Sequence, residues 1–123
     1  QRAGQVAVSD PVNRVTLEGE VHTGVDERWT PAGLPIARFP LEHWSRTSVA
    51  GLERTIACRI TVVALGESLA AQAKALSPGV HCRVEGVLAQ RVRRRQGEET
   101  IFGRLELHAE ILTPVTSAQA TSE

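Results

Sequence analysis

An all-β chain, a five-stranded Greek-key barrel with one short helix between strands three and four, is what the sequence predicts. Three observations predict it. Three stretches of alternating apolar and polar residues come first, then an Ala/Leu-rich stretch closed by Ser77-Pro78-Gly79, then two more alternating stretches. Glycines interrupt two of those strands, Gly19 and Gly86, as strong barrel curvature requires. The length, 123 residues, suits one domain able to bury a core without metal or disulfide support.

Residues 1–12 are small and polar and read as a tail before a domain at 13–113. The first strand spans 13–23, with Val15, Leu17, Gly19 and Val21 inward. Residues 24–35 carry Gly24, Pro31, Gly33 and Pro35 and read as a loop holding Arg28 and Trp29. The second strand, 36–44, turns Ala37, Phe39 and Leu41 inward and Arg38 and Glu42 outward, and a connection at 45–51 follows. In the third strand, 52–63, Ile56, Cys58, Ile60 and Val62 face in and Arg59 faces out. Residues 67–76 form the helix, with Leu69, Ala73 and Leu76 on one face. The fourth strand places Val80, Cys82, Val84, Gly86 and Leu88 inward, and the fifth, 101–112, places Leu105, Leu107, Ala109 and Ile111 inward before Pro114 ends it. A second polar tail takes 114–123.

The segment between the last two strands carries the chemistry. Arg91, Arg93, Arg94 and Arg95 crowd a hairpin loop that reverses at Gly97, in a chain whose formal charge sums to +0. If the strand direction continues into it, Arg91, Arg93 and Arg95 project to one side and Arg94 to the other. Their spacing of roughly 6–7 Å, twice the strand rise, meets successive phosphates of a single strand, and the guanidinium fork suits phosphate oxygens. A solvated charge run that keeps a hairpin tip soluble is the plainer reading of the same residues. A five-stranded Greek-key barrel of this order is the OB-fold, whose strand 2–3 face and 1–2 and 4–5 loops bind oligonucleotides. Here those loops hold Arg28 with Trp29 and the arginine run.

Aromatic residues are few: Trp29, Trp44, Phe39 and Phe102. Trp29 is either a clamp over the end of the core or a stacking platform, and Trp44 either a stacking residue or part of a subunit interface. Cys58 and Cys82, both at inward positions, read as small buried thiols of a reducing compartment. No apolar run is long enough to span a membrane, and residues 1–11 show no leader pattern, so a cytoplasmic setting is expected. No catalytic constellation is present. Gly66-Glu67-Ser68 lacks the second glycine of a nucleophile elbow, the one lysine, Lys74, lies on the helix, and His43, Cys58, His81 and Cys82 fit no zinc spacing. A non-enzyme without cofactor or metal is expected.

Asn13-Arg14-Val15-Thr16-Leu17-Glu18-Gly19-Glu20-Val21 resembles the opening strand of single-stranded-DNA-binding proteins. Together with Thr30-Pro31-Ala32-Gly33-Leu34-Pro35, Phe39-Pro40-Leu41-Glu42-His43 and Leu107-His108-Ala109-Glu110, it resembles the primosomal replication protein N (PriB) family over 13–112. The resemblance implies a homodimeric, non-catalytic OB-fold protein. It would bind single-stranded DNA and bridge the replication-restart helicase PriA to the primosome loader protein. It also matches Arg28 to a basic position of the 1–2 loop and the arginine run to a basic 4–5 loop. The outward position of strand three where such proteins often offer an aromatic is Ala57, so stacking falls to Trp44 or Trp29. The expected contact set is Arg28, Trp29, Arg38, Trp44, Arg59, Arg91, Arg93, Arg94 and Arg95. Two other readings fit the same residues: a general single-stranded-DNA-coating protein, and an OB-type module whose arginines meet an acidic protein partner.

Overall fold

Alternation at period two builds six strands, and a short alanine-rich stretch builds one helix. They are β1 (Val15–Val21), β2 (Asp26–Trp29), β3 (Pro35–Val49), β4 (Leu52–Leu65), α1 (Glu67–Lys74), β5 (His81–Arg94) and β6 (Thr100–Val115). The structure, a computed structural model, describes residues 10–94, 96–97 and 99–116. The sheet order is β1-β5-β6-β4-β3-β2, and a further pairing of β1 with β3 closes five of the six strands into a barrel. Every pairing is antiparallel except β4 with β6, where Thr61, Val62 and Val63 run beside Glu106, Leu107 and His108. This is the OB-fold expected, with α1 between the third and fourth barrel strands and β2 added outside on β3.

The core is filled from the inward positions of all five barrel strands and from α1: Val21, Phe39, Leu41, Val62, Val84 and Leu107 are fully buried, and Ala70 and Ala73 of the helix close one end. Two glycines make the closure sterically allowed. A Cβ at Gly19 would strike the Glu42 carbonyl oxygen, and one at Gly86 would strike that of His108. Each marks a place where one backbone lies directly over the next strand, as glycine within a strand often does.

Several local expectations are corrected. Residues 24–35 are not all loop: Asp26–Trp29 is a strand on the free edge of β3, in register Asp26 with Arg38 through Trp29 with Pro35. Its four residues have no apolar alternation of their own, so the edge it pairs with, rather than its pattern, holds it extended. Residues 45–51 are not a connection. β3 and β4 stay paired from Ile36–Leu65 out to Val49–Leu52 around a two-residue turn. Both turn residues, Ala50 (φ 54) and Gly51 (φ 78), are left-handed, as a tight hairpin demands.

That long hairpin overruns the barrel rim, and the overrun explains the two side chains of β4 that were expected inside. Ile56 and Cys58 keep the inward parity of Ile60 and Val62 but lie beyond the core and are exposed. The same holds for Leu105 on β6 and, at the rim of β5, for Leu88. Ile111 is exposed for a different reason: Glu85 pairs with Ile111 but Gly86 pairs with Ala109, so Glu110 is an extra, bulged residue. The bulge reverses the facing beyond it, turning Leu112 inward and Ile111 out. β6 also continues through Pro114, which pairs with Cys82 where β5 is its one neighbour, a position that tolerates a missing donor.

Replacing Gly86 by alanine forces backbone against backbone, so Gly86→Ala loses about 2–3 kcal/mol of stability in urea unfolding. The two thiols differ sharply, since Cys82 is fully buried and burial pushes its thiol up to about 11. An aromatic disulfide reagent therefore titrates Cys58 alone in the native protein and Cys82 after denaturation. The unfolded chain releases the Cys82 proton near pH ~8.5 while the folded chain holds it. Stability accordingly declines as pH rises from there toward about 11.

Candidate nucleic-acid interface

Because β4 and β6 run parallel, the N-terminal part of each leads toward the same end of the barrel. There β4 continues as one arm with β3, tipped by Ala50-Gly51, and β6 continues as a second arm with β5. The arginine run is thus mostly strand rather than loop. Arg91, Arg93 and Arg94 belong to β5, with Arg93 opposite Ile101 and Arg94 opposite Thr100, and Gly97 (φ 109) lies between the end of β5 and the start of β6. Arg95 lies outside the described residues. As the period-two expectation has it, Arg91 and Arg93 share one face of the arm and Arg94 takes the other.

Arg91 reaches the outer face of the barrel. A register shift between Gln90 and Val92 lets β6 supply one residue more than β5, and Gly103 sits against Arg91 there. The result is an open hollow of about 400 Å³ lined by Arg38, Thr61, Arg91, Gly103, Arg104 and Glu106. Arg104 was not among the residues the sequence singled out. Its signal was weak, a lone arginine beside a glycine outside the run, and only the bulge brings it to the same hollow as Arg91.

The arginines divide into paired and unpaired. Arg38 donates from Nη2 to Glu106 Oε2 at 2.7 Å, and both side chains are largely buried. Arg59 donates to Glu42 Oε2 at 2.8 Å across the β3–β4 ladder, and that guanidinium holds the Glu42 carboxyl below its usual range. Arg28 donates to Asp26 at 3.1 Å, on its own strand. Arg91, Arg93, Arg94 and Arg104 form no ion pair among the described residues. Arg54, on the β3–β4 arm, forms none either, so unpaired positive charge among the described residues gathers mainly, with four of these five arginines, on the β5–β6 arm and the hollow at its base.

The aromatics are exposed. Trp44 is 65% accessible on the outer face of β3, opposite Ala57, in line with Arg38 six residues earlier, roughly 20 Å along the strand. Phe102, 62% accessible, stands across from Val92 on the β5–β6 arm. Nothing in the alternation separates Phe102 from an ordinary strand residue, because the bulge that sets its facing leaves no mark in a hydrophobic pattern. Trp29, 62% accessible, ends β2. Three strands stand between β2 and β5 in sheet order, and the Trp29–Pro35 end of its hairpin leads the opposite way along β3 from the Ala50-Gly51 tip. The structure therefore brings Arg38 and Arg91 to one hollow, with Arg93 and Arg94 farther along the same arm. Trp44 lines a different hollow, with Glu18, Glu42, His81 and Val115. Arg59 pairs with Glu42 beside it, and Arg28 and Trp29 sit on a separate edge.

No three His, Cys, Asp or Glu side chains among the described residues are placed to hold a metal ion, and no described helix is long and apolar enough to cross a membrane. The sequence matches, over residues 13–110, the model of a family described as another single-strand binding protein family. Replication restart protein PriB of Photobacterium profundum is 33% identical over 105 residues, covering 85% of this chain and 96% of its own. Single-stranded DNA binding protein of Thermus aquaticus superposes with a TM-score of 0.70 at 27% identity over 88% of this chain, which spans about half (52%) of that protein's length. The priB protein of Ralstonia solanacearum, 24% identical, shares the fold with a TM-score of 0.68 over 86% of this chain and all of its own.

Proposed function

This chain belongs to the single-strand binding protein family, and we propose that it is a non-catalytic adaptor of replication restart that holds single-stranded DNA. The observation that carries the reading is the gathering of Arg91, Arg93, Arg94 and Arg104, none of them ion-paired among the described residues, on one arm and the hollow beneath it. A polyanion without a complementary strand is flexible enough to follow an arm and then cross a curved face. Phosphates take the free guanidinium groups, while Trp44 offers an exposed ring on which a base can stack. Arg59 extends the track along the outer face at reduced strength, because it already holds a carboxylate, and Arg38 belongs to the contact set from within the hollow, where Glu106 holds it. Arg28 and Trp29 stay in the contact set as a separate edge, and Arg95, next in sequence to Arg94, stays in it as well.

The rest of the reading follows from the kinship with replication restart protein PriB. A homodimer would set two arms side by side, and the restart helicase PriA with the primosome loader would be its protein partners, in the cytoplasm. No cofactor enters, since binding and bridging need none.

About four phosphate contacts give a log–log salt slope near −3 for a thymidine oligomer. Arg91→Ala with Arg93→Ala flattens it by about 1.4 units with thermal stability kept, measured by fluorescence anisotropy across salt. A double variant that binds as tightly and as salt-sensitively as the parent would reject the arm as the DNA contact. Trp44→Ala weakens binding by about 1–3 kcal/mol. Unchanged affinity together with a dimer converted to monomer in sedimentation would assign Trp44 to the subunit contact instead.

A further inference from the structure

Resting on the single-strand-binding reading above, we infer that Glu106 is a resident anion that withholds Arg38 from nucleic-acid phosphate and so limits the grip of the hollow. Glu106 is the one charged side chain buried among the described residues, at 8% exposure, and it lies in the wall of the hollow beside Arg91 and Arg104. Each of its two oxygens is taken by a different donor. Arg38 Nη2 gives to Oε2 at 2.7 Å, and His108 Nε2–H gives to Oε1 at 3.1 Å. The carboxylate therefore cannot turn aside to clear the guanidinium without breaking both bonds.

A carboxylate and a phosphate compete for the same guanidinium fork. For Arg28 and Arg59 the competition is easy, because those pairs are open to water, with arginine side chains 74% and 54% exposed. Arg38 is 24% exposed and its partner 11%, so this pair alone is sheltered from screening. A phosphate entering between Arg91 and Arg104 meets a fixed negative charge where a third arginine would otherwise receive it. Glu106 thus acts as a positioning residue through Arg38, holding affinity below what the three arginines of the hollow could give.

The test is anisotropy with a labelled thymidine oligomer at several salt concentrations for the parent, Glu106→Gln, Arg38→Gln and the double variant, each checked by thermal melt. Glutamine keeps the volume and an acceptor for Arg38 while removing the charge. Glu106→Gln tightens binding about three- to fivefold, the worth of one more part-exposed ion pair, and steepens the slope by about 0.7. Arg38→Gln alone leaves the slope where it was, and added to Glu106→Gln it returns the slope to the parent's. A merely structural role for Glu106 would lower the melting temperature without moving the slope. If the parent binds and Glu106→Gln has the parent's affinity and slope, the inference is overturned while the DNA-binding reading stands. If the parent does not bind at all, both fall. Should Glu106→Gln not fold, Arg38→Gln decides: a slope flattened by about 0.7 means Arg38 already grips phosphate, which also overturns the inference.

Discussion

The short parallel pairing of β4 with β6 is the contact on which the arrangement depends. Three residues on each strand, Thr61–Val63 beside Glu106–His108, close the barrel on that side. They align the two hairpins so that both arms leave the same end, and they set Glu106 opposite Thr61 and next to Arg38. The Gly86 backbone lies under His108 at the same level, so closure and the geometry of the outer face share one seam. Beyond the seam neither β4 nor β6 has the other as a neighbour, and the arms are free to diverge around whatever lies between them.

Charge on this molecule is sorted rather than abundant. Fourteen basic residues balance fourteen acidic ones, and most of the basic side chains on the barrel proper meet a carboxylate across a strand: Arg83 with Glu18, Arg59 with Glu42, Arg38 with Glu106. The first two, on exposed faces, contribute little to stability. Their larger effect is to cancel the field of the barrel wall, so that the unpaired arginines of the β5–β6 arm stand out against a neutral background. A general polycation would spread positive charge over every face, whereas here most of the unpaired arginines among the described residues lie on one arm.

The barrel was legible in the sequence because its core positions alternate strictly, as at Ala37, Phe39 and Leu41, and because Gly19 and Gly86 announce close backbone approaches. The arms were not legible as arms. Ile56 and Cys58 carry the same alternation as Ile60 and Val62, and nothing in a period-two pattern says where a strand leaves the core. β2 escaped notice because its stability is borrowed from the edge of β3. At the site, the arginine run was plain from composition alone, yet Arg104 was hidden by a bulge, and a bulge inserts one residue without a mark in the hydrophobic pattern. The pairing of Arg38 was equally unreadable, since its partner is 68 residues away.

Amide chemical-shift mapping of the isotopically labelled protein, titrated with an unlabelled thymidine oligomer, tests the central claim most directly. The account predicts that the largest shifts fall on β5 from Arg91 to Arg94, on Gly103 and Arg104, and on the outer face of β3 around Trp44. Shifts confined to the opposite end of the barrel, around α1, with the arm unmoved, would contradict it.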